Sequence, residues 1–573
     1  MEKSLTIALV IFTLIPSVFC QEHQIVNTKS GPIKGVITEH AMGKLYTFFK
    51  IPFAKPPVGE LRFKKPEPIE PWNDVIDGTQ QMPSCSQPMG IFDTILPNTD
   101  VSEDCLFLNV YVPNSLSIKK SVMVWIHGGG YVLGQGNMYD STELALTGDV
   151  IVVTINYRLN VFGFMTTWDS IAMGNYGLWD QIMALQWVKN NIEDFGGDPD
   201  SITIFGESAG GFSVSILSLL PQNKGLFHRV IAQSGIVNAP MAFNNDKKSF
   251  MEDILQDVKC DKADSVSIVK CLREVPSENF SNISLKIFYG GIDDLYIGLA
   301  PRVDNDLIKQ PLDFRSELDS SLDFFRSLDY MTGYTNGEGI SMANTIEVST
   351  SDMVNGKLPD LSKGISQDAV CNKFIPRIAK RSFDSNSKVS EVLCKAYKAD
   401  DKIRQGKNAV DLIGDYMFAS EAIESLFAHS KQNKATKTYQ YIISRPTKKT
   451  FGYELPEWFE GAPHGMDVPY LFDFKDKDFE LLLNTTLTEA DRKLKQTMMK
   501  FWTNFAKTGN PNSDSLPEWP GFTEAKMEYM NLNLESKSEA ADGDIKRRMK
   551  LWIEDIPKIV ERHRRSDVNR EEL

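Results

Sequence analysis

Long apolar runs are scarce in this sequence of 573 residues. A helix that spans a membrane needs roughly 20 consecutive apolar residues, and the run Leu5–Val18 is shorter and is interrupted by polar residues. The basic Lys3 before this run and the small Cys20 after it are typical of a secretory signal. We therefore expect a signal peptide over residues 1–20, a mature chain that begins at Gln21, and no membrane span.

Basic residues are also fewer than acidic ones. Lysine and arginine number 62 against 76 aspartates and glutamates, which leaves a net charge of −14. Nucleic acids and anionic lipids are bound by basic surfaces, so we expect neither as a partner. An acidic excess can steer a cationic substrate, but it more commonly serves solubility, and it says nothing about the fold.

Cysteine and histidine are rare, with seven of each. No cysteine stands at a metal-ligand spacing from a histidine, and we expect neither a metal nor an organic cofactor. Loss of Cys20 with the signal leaves three close-spaced pairs, which in an oxidising compartment favour local disulfides. Six cysteines allow many connectivities, so the sequence alone does not fix the pairing. The six are Cys85, Cys105, Cys260, Cys271, Cys371 and Cys394.

Two further features bear on the compartment. Glycosylation sequons begin at Asn279, Asn282 and Asn484, and they agree with passage through the secretory pathway. The final segment Arg570–Leu573 resembles a variant of the Lys-Asp-Glu-Leu signal for retrieval to the endoplasmic reticulum. A charged, disordered tail is the alternative interpretation, so secretion and retention in the endoplasmic reticulum both stay open.

The order of apolar segments predicts the fold class. Short β-branched runs such as Val122–Ile126, Val150–Ile155 and Ile202–Phe205 are typical of strands buried on both faces. Helical periodicity lies between them, as in Gly177–Asn191. Strands that alternate with helices predict an α/β fold with a mostly parallel central sheet flanked by helices.

Two long segments interrupt this alternation. Residues 240–325 and 345–435 are rich in charge and favour helices. The chain shows no internal repeat and no linker rich in proline, glycine or serine that would separate them from the strands. We therefore expect inserted helical lid segments within a single domain over residues 21–573.

The strongest chemical signal is the motif Gly206-Glu-Ser-Ala-Gly210, which follows the predicted strand Ile202–Phe205 and precedes the helical run Gly211–Leu220. A strand that turns abruptly into a helix strains the residue at the bend, and the two glycines leave room for the crossing. The serine oxygen then stands clear of the backbone at a helix N-terminus, where amides favour negative charge. Ser208 is the predicted nucleophile, although the bare motif also occurs by chance in long chains.

A serine nucleophile needs a base, and His464 is the candidate. It lies in the glycine- and proline-rich loop Gly461–Asp467, and such a loop on a rigid sheet can aim a catalytic side chain. A turn histidine without a catalytic role is the alternative. The remaining histidines are His23 and His40 before the core strands, His127 at a glycine run, His228 and His429 in helix-like contexts, and His563 in a basic tail.

The base in turn needs a carboxylate that fixes its tautomer and stabilises the imidazolium. In α/β-hydrolases the chain order is serine, acid, histidine, so the acid is expected between Ser208 and His464. Glu338 follows the strand-like segment Tyr330–Tyr334 and is flanked by glycines. On local sequence alone, however, a glutamate in a surface turn is the better explanation.

Attack on an ester creates an oxyanion that needs preorganised amide donors. The run His127-Gly-Gly-Gly130 follows the predicted strand Val122–Ile126, the place of the oxyanion loop in such hydrolases. The amide of Ala209, directly after the nucleophile, is a further donor. A phosphate-cradling loop is the weaker alternative, because no Lys-Ser or Lys-Thr pair follows the glycines.

Longer stretches resemble one family. Glu103–Asn109 and Phe205–Gly211 are similar to the two signatures of the type-B carboxylesterase/cholinesterase family, and further matches run from Pro56–Phe63 to Trp519–Pro520. The resemblance covers nearly the whole mature chain. It implies the α/β-hydrolase fold and a serine hydrolase that cleaves carboxylic esters through an acyl-enzyme intermediate.

The resemblance also implies roles for single residues. The implied catalytic triad and oxyanion donors are Ser208, Glu338 and His464, with Gly129, Gly130 and Ala209. The implied disulfides are Cys85–Cys105 and Cys260–Cys271, and the implied structural ion pairs are Arg62–Glu103 and Arg158–Asp180. Cys371 and Cys394 match no pattern of the family, so their pairing stays open.

Departures from the family's patterns narrow the substrate. Cholinesterases hold the choline cation with a tryptophan in the first disulfide loop, whereas no tryptophan lies between Cys85 and Cys105, and only Phe92 and Phe107 are nearby. Juvenile hormone esterases usually have glutamine where this chain has Glu207. We therefore expect a carboxylesterase-like enzyme that acts on a small-molecule or lipid-like ester.

Two alternatives stay open. One is a bile-salt-type lipase or cholesteryl esterase, which belongs to the same chemical class. The other is a non-catalytic adhesion or binding protein, although adhesion relatives of this family lose triad residues and have a membrane span. The sequence gives neither the acyl and alcohol size of the substrate nor the oligomeric state.

Overall fold

A computed structural model of the chain describes residues 22–88, 100–244, 249–293, 295–314, 320–348, 360–431, 436–450, 453–474 and 487–571. The expected signal peptide over residues 1–20, Phe92, the sequon at Asn484 and the last two residues of the chain lie outside these ranges. Within the described ranges, no helix is both long enough and apolar enough to cross a membrane.

The strands are numbered in chain order. They are β1 His23–Asn27, β2 Pro32–His40, β3 Gly43–Pro52, β4 Ile76–Asp77, β5 Ser84–Cys85, β6 Val101–Ser102, β7 Phe107–Pro113, β8 Lys120–Ile126, β9 Ile151–Ile155, β10 Gly197–Glu207, β11 Arg229–Gln233, β12 Asp329–Thr335, β13 Thr438–Ile443, β14 Lys449–Thr450, β15 Tyr453–Glu454, β16 Glu528–Leu532 and β17 Lys537–Ala540.

The helices follow the same convention. The α-helices are α1 Thr142–Gly148, α2 Asn160–Phe164, α3 Tyr176–Asn191, α4 Ala209–Ser218, α5 Ser249–Asp257, α6 Ser265–Glu274, α7 Phe280–Asp293, α8 Ser320–Arg326, α9 Ile340–Ala343, α10 Ile375–Ser382, α11 Ser387–Tyr397, α12 Lys402–Gly414, α13 Ser420–Ser430, α14 Glu489–Thr508, α15 Gly543–Lys550 and α16 Ile556–Glu571. Within the described residues, π-helices span Ala369–Phe374, Asp415–Ala419 and Leu551–Asp555.

One large sheet organises the protein. Its strands lie side by side in the order β1-β2-β3-β7-β9-β8-β10-β11-β12-β13-β16-β17, and β4 pairs with β2. The strands from β9 to β16 in this order run parallel to their neighbours, and antiparallel strands extend the sheet at both ends. This arrangement confirms the predicted α/β fold with a mostly parallel sheet.

The central strands form because their apolar residues can be buried on both faces. All five residues of β9 are buried, and so are the last five of β8. Alternate side chains of each strand enter separate cores, so that Val124 packs with one set of helices and Trp125 with another. Near-continuous β-branched segments are typical of parallel strands covered on both sides.

The segments predicted as insertions are helical. Residues between β11 and β12 include α5 to α8, and those between β12 and β13 include α9 to α13. Disulfides tie these segments locally: Cys260 pairs with Cys271, and Cys371 pairs with Cys394. A third disulfide joins Cys85 to Cys105 near the start of β7. The pairing of Cys371 with Cys394 resolves the question that the sequence left open.

Two buried ion pairs fix loops near the sheet. Arg62 contacts Glu103 through two nitrogens and also donates to the backbone carbonyl of Val275 in the first insertion. Arg158 binds both oxygens of Asp180 at 2.7 and 2.8 Å, and the side chain of Asp180 is 0% exposed. Both pairs are structural, as the resemblance implies.

Breaking the Arg158 pair is expected to destabilise the fold, because it leaves the buried carboxylate of Asp180 without its cation. Arg158→Met should lower the free energy of unfolding by about 3–5 kcal/mol, measured by urea denaturation. Lys388→Met, which removes the exposed partner of Glu391, is the control and should cost about 1 kcal/mol or less. Equal losses for the two variants would contradict a structural role for the buried pair.

Candidate active site

Ser208 occupies the turn between β10 and α4. Its backbone has φ 57° and ψ −120°, a region that residues with side chains rarely adopt. The turn is held in place because the Ser208 amide donates to the carbonyl of Gln233 at 2.9 Å and the Phe212 amide donates to the carbonyl of Ser208 at 2.8 Å. The strained turn exposes the hydroxyl-bearing side chain at the end of the sheet, as the motif predicts.

The two motif glycines are required by the close crossing of α4 over β8. A Cβ on Gly206 would lie 2.5 Å from the carbonyl oxygen of Ile126, and one on Gly210 would lie 1.9 Å from the same oxygen. No side chain tolerates these separations. The spacing of the motif therefore follows from contact between two backbones.

Glu338 and His464 meet beside this turn. The Nδ1 atom of His464 lies 2.6 Å from Oε2 of Glu338, whose side chain is 1% exposed. The other carboxylate oxygen accepts hydrogen bonds from the Thr335 amide at 2.8 Å and the Ser234 hydroxyl at 2.6 Å. A carboxylate so placed keeps the proton of His464 on Nδ1, so that Nε2 is the nitrogen that can accept a proton.

The loop that carries His464 is docked onto the turn that carries Glu338. The Gly337 amide donates to the carbonyl of Ala462 at 2.9 Å, and the Ala462 amide donates to Oδ1 of Asn336 at 2.8 Å. The contact between Glu338 and His464 is thus supported by one backbone and one backbone-to-side-chain hydrogen bond between the two loops. It does not depend on the two side chains alone.

Glu207 is the site residue whose contact the sequence did not reveal. Its Oε1 lies 3.1 Å from Nε2 of His464, so the imidazole lies between two carboxyl groups. Glu207 directly precedes Ser208, so the same contact places the imidazole of His464 next to the turn at Ser208. The signal that could have found it is the acidic residue at the second position of the motif.

A third carboxyl group, that of Asp467, interacts electrostatically with the imidazole. Asp467 is 0% exposed and accepts hydrogen bonds from Gln233 at 2.8 Å and from the hydroxyl of Tyr441 at 3.1 Å. Burial raises the pKa of Asp467 above its usual value. Trp502 donates to Gln233 and completes this network beneath the site.

These groups perturb one another. Burial raises the pKa of Glu207 to about 8. Burial lowers the pKa of His464, but Glu338 and Glu207 outweigh it and raise that pKa to about 9. The site therefore stabilises positive charge on the imidazole, which is the charge that a base acquires during catalysis.

The glycine run after β8 lies against the turn that carries Ser208. Gly129 and Gly130 have φ 109° and 61°, and a Cβ on Gly128 would lie 2.8 Å from Oε2 of Glu207 and 3.1 Å from Cβ of Ser208. Within the described part of the chain, the amides of Gly129 and Gly130 donate no hydrogen bond. Ala209 begins α4, and the first amides of a helix have no partner within the helix.

The other histidines have structural surroundings. His127 is buried, stacks on Tyr157 with ring centroids 4.5 Å apart, and has a pKa lowered to about 4 by burial. His429 is a satisfied core histidine in α13, 2.7 Å from the hydroxyl of Thr438. The helix-like context expected for His228 is wrong, because this residue directly precedes β11 and accepts the Ile202 amide at 3.2 Å.

Aromatic rings lie against His464 and against the glycine run. The rings of Phe418 and His464 have centroids 4.8 Å apart. A Cβ on Gly130 would lie 2.5 Å from the ring of Phe288. Both phenylalanines come from the inserted segments, so the insertions supply apolar walls around the reacting groups.

A parallel sheet that presents a strained serine turn, a histidine–glutamate pair and a glycine loop at one edge defines a serine hydrolase of the α/β-hydrolase type. A sequence profile described as the carboxylesterase family matches residues 22–552. The chain belongs to the carboxylesterase family, and its reaction is the hydrolysis of carboxylic esters.

Several curated relatives align over nearly their full length. The chain is 34% identical to the pyrethroid hydrolase Ces2a of Mus musculus, with 96% of this chain and 94% of the relative covered. It is 33% identical to a medium-chain fatty acyl-CoA hydrolase precursor of Anas platyrhynchos, with coverages of 94% and 93%. It is 32% identical to liver carboxylesterase 1 of Oryctolagus cuniculus, with coverages of 92% and 93%.

Glu207 should set the pH at which the enzyme becomes active, because its carboxylate favours the protonated imidazole of His464. Ester hydrolysis needs the neutral imidazole, so activity rises as pH rises through this pKa. Glu207→Gln should move the acid limb of the kcat/KM profile to lower pH by about one unit or more.

The matched control for this profile is Glu460→Gln. Glu460 is an exposed partner of Lys407 in the segment that leads to His464. Its removal should leave the acid limb in place. If the acid limb of the kcat/KM profile stays in place in Glu207→Gln, or moves equally in both variants, Glu207 does not raise the pKa of His464.

Proposed function

We propose that Ser208 is the nucleophile, His464 the base and Glu338 the acid of the catalytic triad. The supporting observation is the 2.6 Å contact of His464 Nδ1 with Glu338, formed beside the strained turn at Ser208. The amides of Gly129, Gly130 and Ala209 are the proposed oxyanion donors. Residues 21–573 are the proposed single catalytic domain.

The proposed reaction has two halves. Oγ of Ser208 attacks the ester carbonyl while Nε2 of His464 takes its proton, and the oxyanion is held by the glycine amides. The C–O bond to the alcohol breaks as His464 returns the proton to the leaving oxygen. Water then attacks the acyl-enzyme with His464 as base, and the acid leaves as Ser208 is regenerated.

The proposed substrates are esters with apolar groups on either side of the carbonyl. Phe418 and Phe288 supply aromatic surface on both sides of the reacting groups, and aromatic walls favour apolar ligands. Three relatives are named as hydrolases of pyrethroids, of medium-chain fatty acyl-CoA and of acylcarnitine. We propose the same breadth of acyl groups for this chain.

The proposed compartment is the secretory pathway. Three disulfides fit an oxidising environment. Asn279 and Asn282 are exposed at the start of α7, as glycosylation acceptors must be. The retrieval signal Arg570–Leu573 is the proposed reason for retention in the endoplasmic reticulum, and secretion is the outcome if it is not read.

Replacement of the nucleophile tests the proposed function. Ser208→Ala should lower kcat for 4-nitrophenyl acetate by about 10⁴-fold or more, because water alone replaces the activated hydroxyl. It should also abolish covalent labelling by an organophosphate, measured as intact mass.

The matched control for this test is Ser213→Ala. Ser213 lies in α4, the helix that follows Ser208. Its buried hydroxyl accepts a hydrogen bond from the side-chain amide of Gln181 at 3.1 Å, away from the strained turn. This variant should keep its labelling and most of its activity. Labelling of Ser208→Ala at the wild-type rate would rule out Ser208 as the nucleophile.

A further inference from the structure

Phe418 is the side chain that covers the proposed base. Its ring lies 4.8 Å from that of His464, at an angle of 32°, and it is 8% exposed. Any group of a substrate that approaches the imidazole from this side must share the space with Phe418. The position of this ring therefore limits the size of that group.

The backbone that carries Phe418 is unusual. It belongs to the π-helix Asp415–Ala419, which interrupts the otherwise continuous helices α12 and α13. A π-helix holds an extra residue in its turn, and such turns are frequent at functional sites. Relaxation to a regular α-helix would rotate the following side chains by about 100° around the helix axis. The placement of Phe418 thus requires something that holds the π-helix.

Asp415 is the first residue of this π-helix, and its side chain and backbone bind neighbouring segments. Its buried carboxylate accepts the hydroxyl of Tyr397 at 2.6 Å and is paired with Arg548 from α15. The nearby hydroxyl of Ser420 donates to the backbone carbonyl of Asp415 at 2.6 Å. Burial raises the pKa of Asp415, and the Arg548 guanidinium and the Tyr397 hydroxyl oppose that rise.

A second π-helix from the C-terminal region packs on the first. Trp552, in the π-helix Leu551–Asp555, donates to the hydroxyl of Tyr397 at 2.7 Å. Its ring lies 5.6 Å from that of Tyr416, which precedes Phe418 by two residues. The C-terminal segment therefore supports the wall of the site from behind.

A disulfide fixes the helix that carries Tyr397. Tyr397 ends α11, and Cys394 one turn earlier is joined to Cys371 in the π-helix Ala369–Phe374. Tyr397 is thereby tied to a second segment by a covalent bond. This disulfide is the one that the resemblance to the family did not imply.

We propose that Tyr397, Asp415, Arg548 and Trp552, with the disulfide Cys371–Cys394, form a positioning cluster for Phe418. The cluster holds Phe418 over His464 and excludes esters with bulky, branched groups on that side. Loss of the cluster lets the ring withdraw and widens the site. The inference rests on the proposed function, because it assumes that His464 is the base.

The test compares a small and a branched ester of the same alcohol. The ratio of kcat/KM for 4-nitrophenyl 2,2-dimethylpropanoate to that for 4-nitrophenyl acetate reports the space beside His464. Phe418→Leu and Asp415→Asn should each raise this ratio about threefold or more. The double variant should match Phe418→Leu alone, because both changes act through the same ring.

Two outcomes would overturn the proposal. One is an unchanged ratio of the two kcat/KM values in Asp415→Asn. The other is a double variant in which the increase of this ratio equals the product of the increases in the two single variants. A merely structural role would lower kcat/KM for both esters together and leave the ratio unchanged. If Asp415→Asn fails to fold, Tyr397→Phe, which removes one hydroxyl, provides the same comparison with Phe418→Leu.

Matched controls separate the cluster from general destabilisation. Arg547→Gln removes a neighbouring cation that pairs with Asp544 at the surface, and it should leave the ratio unchanged. The double replacement Cys371→Ala/Cys394→Ala should raise the ratio, whereas Cys260→Ala/Cys271→Ala should not. Equal effects of the two disulfide deletions would contradict the proposal.

The proposed function fails separately. If Ser208→Ala keeps its activity, the triad assignment is wrong and the ratio loses its meaning. If activity depends on Ser208 but the ratio does not respond to Asp415→Asn, the triad stands and only the positioning cluster is wrong.

Discussion

The chemistry of this protein depends on how closely the helix after Ser208 crosses the neighbouring strand. Gly210 approaches the carbonyl of Ile126 so closely that no Cβ fits between them. This contact allows the turn at Ser208 to be tight, and the tight turn forces the strained backbone of Ser208. The strain persists because hydrogen bonds from both sides over-determine the turn.

The parallel sheet then brings the other groups to the same edge. The glycine run follows β8, Ser208 follows β10, Glu338 follows β12 and the loop of His464 follows β13. Because parallel strands end at one edge, residues far apart in sequence meet there. The imidazole ends among Glu338, Glu207 and Asp467, and this environment favours its charged form. The fold thus supplies both the geometry and the electrostatic bias of the base.

Much of this could be predicted from sequence, for identifiable reasons. The strands have continuous β-branched runs, and Ser208 lies in a motif whose spacing is set by backbone contact. Glu338 could not be assigned from its surroundings, because a glutamate between glycines looks like any surface turn; its proposed role as the acid came from the family resemblance. The contact of Glu207 with His464 and the stacking of Phe418 on the same ring depend on packing between distant segments. The helix-like context predicted for His228 was wrong, because the residues before β11 show no clear hydrophobic periodicity.

The parts that perform chemistry and the parts that limit access are physically separate. The residues of the proposed triad and the glycine run follow the ends of buried strands, whereas Phe288 and Phe418 come from the helical insertions. A strand buried on both faces has little freedom to shift, but an insertion contacts the sheet on one side and can repack without moving the strands. Pocket size can therefore change through the insertions while Ser208, Glu338 and His464 keep their geometry. The covalent tie between Cys371 and Cys394 restricts this freedom where the wall touches the base.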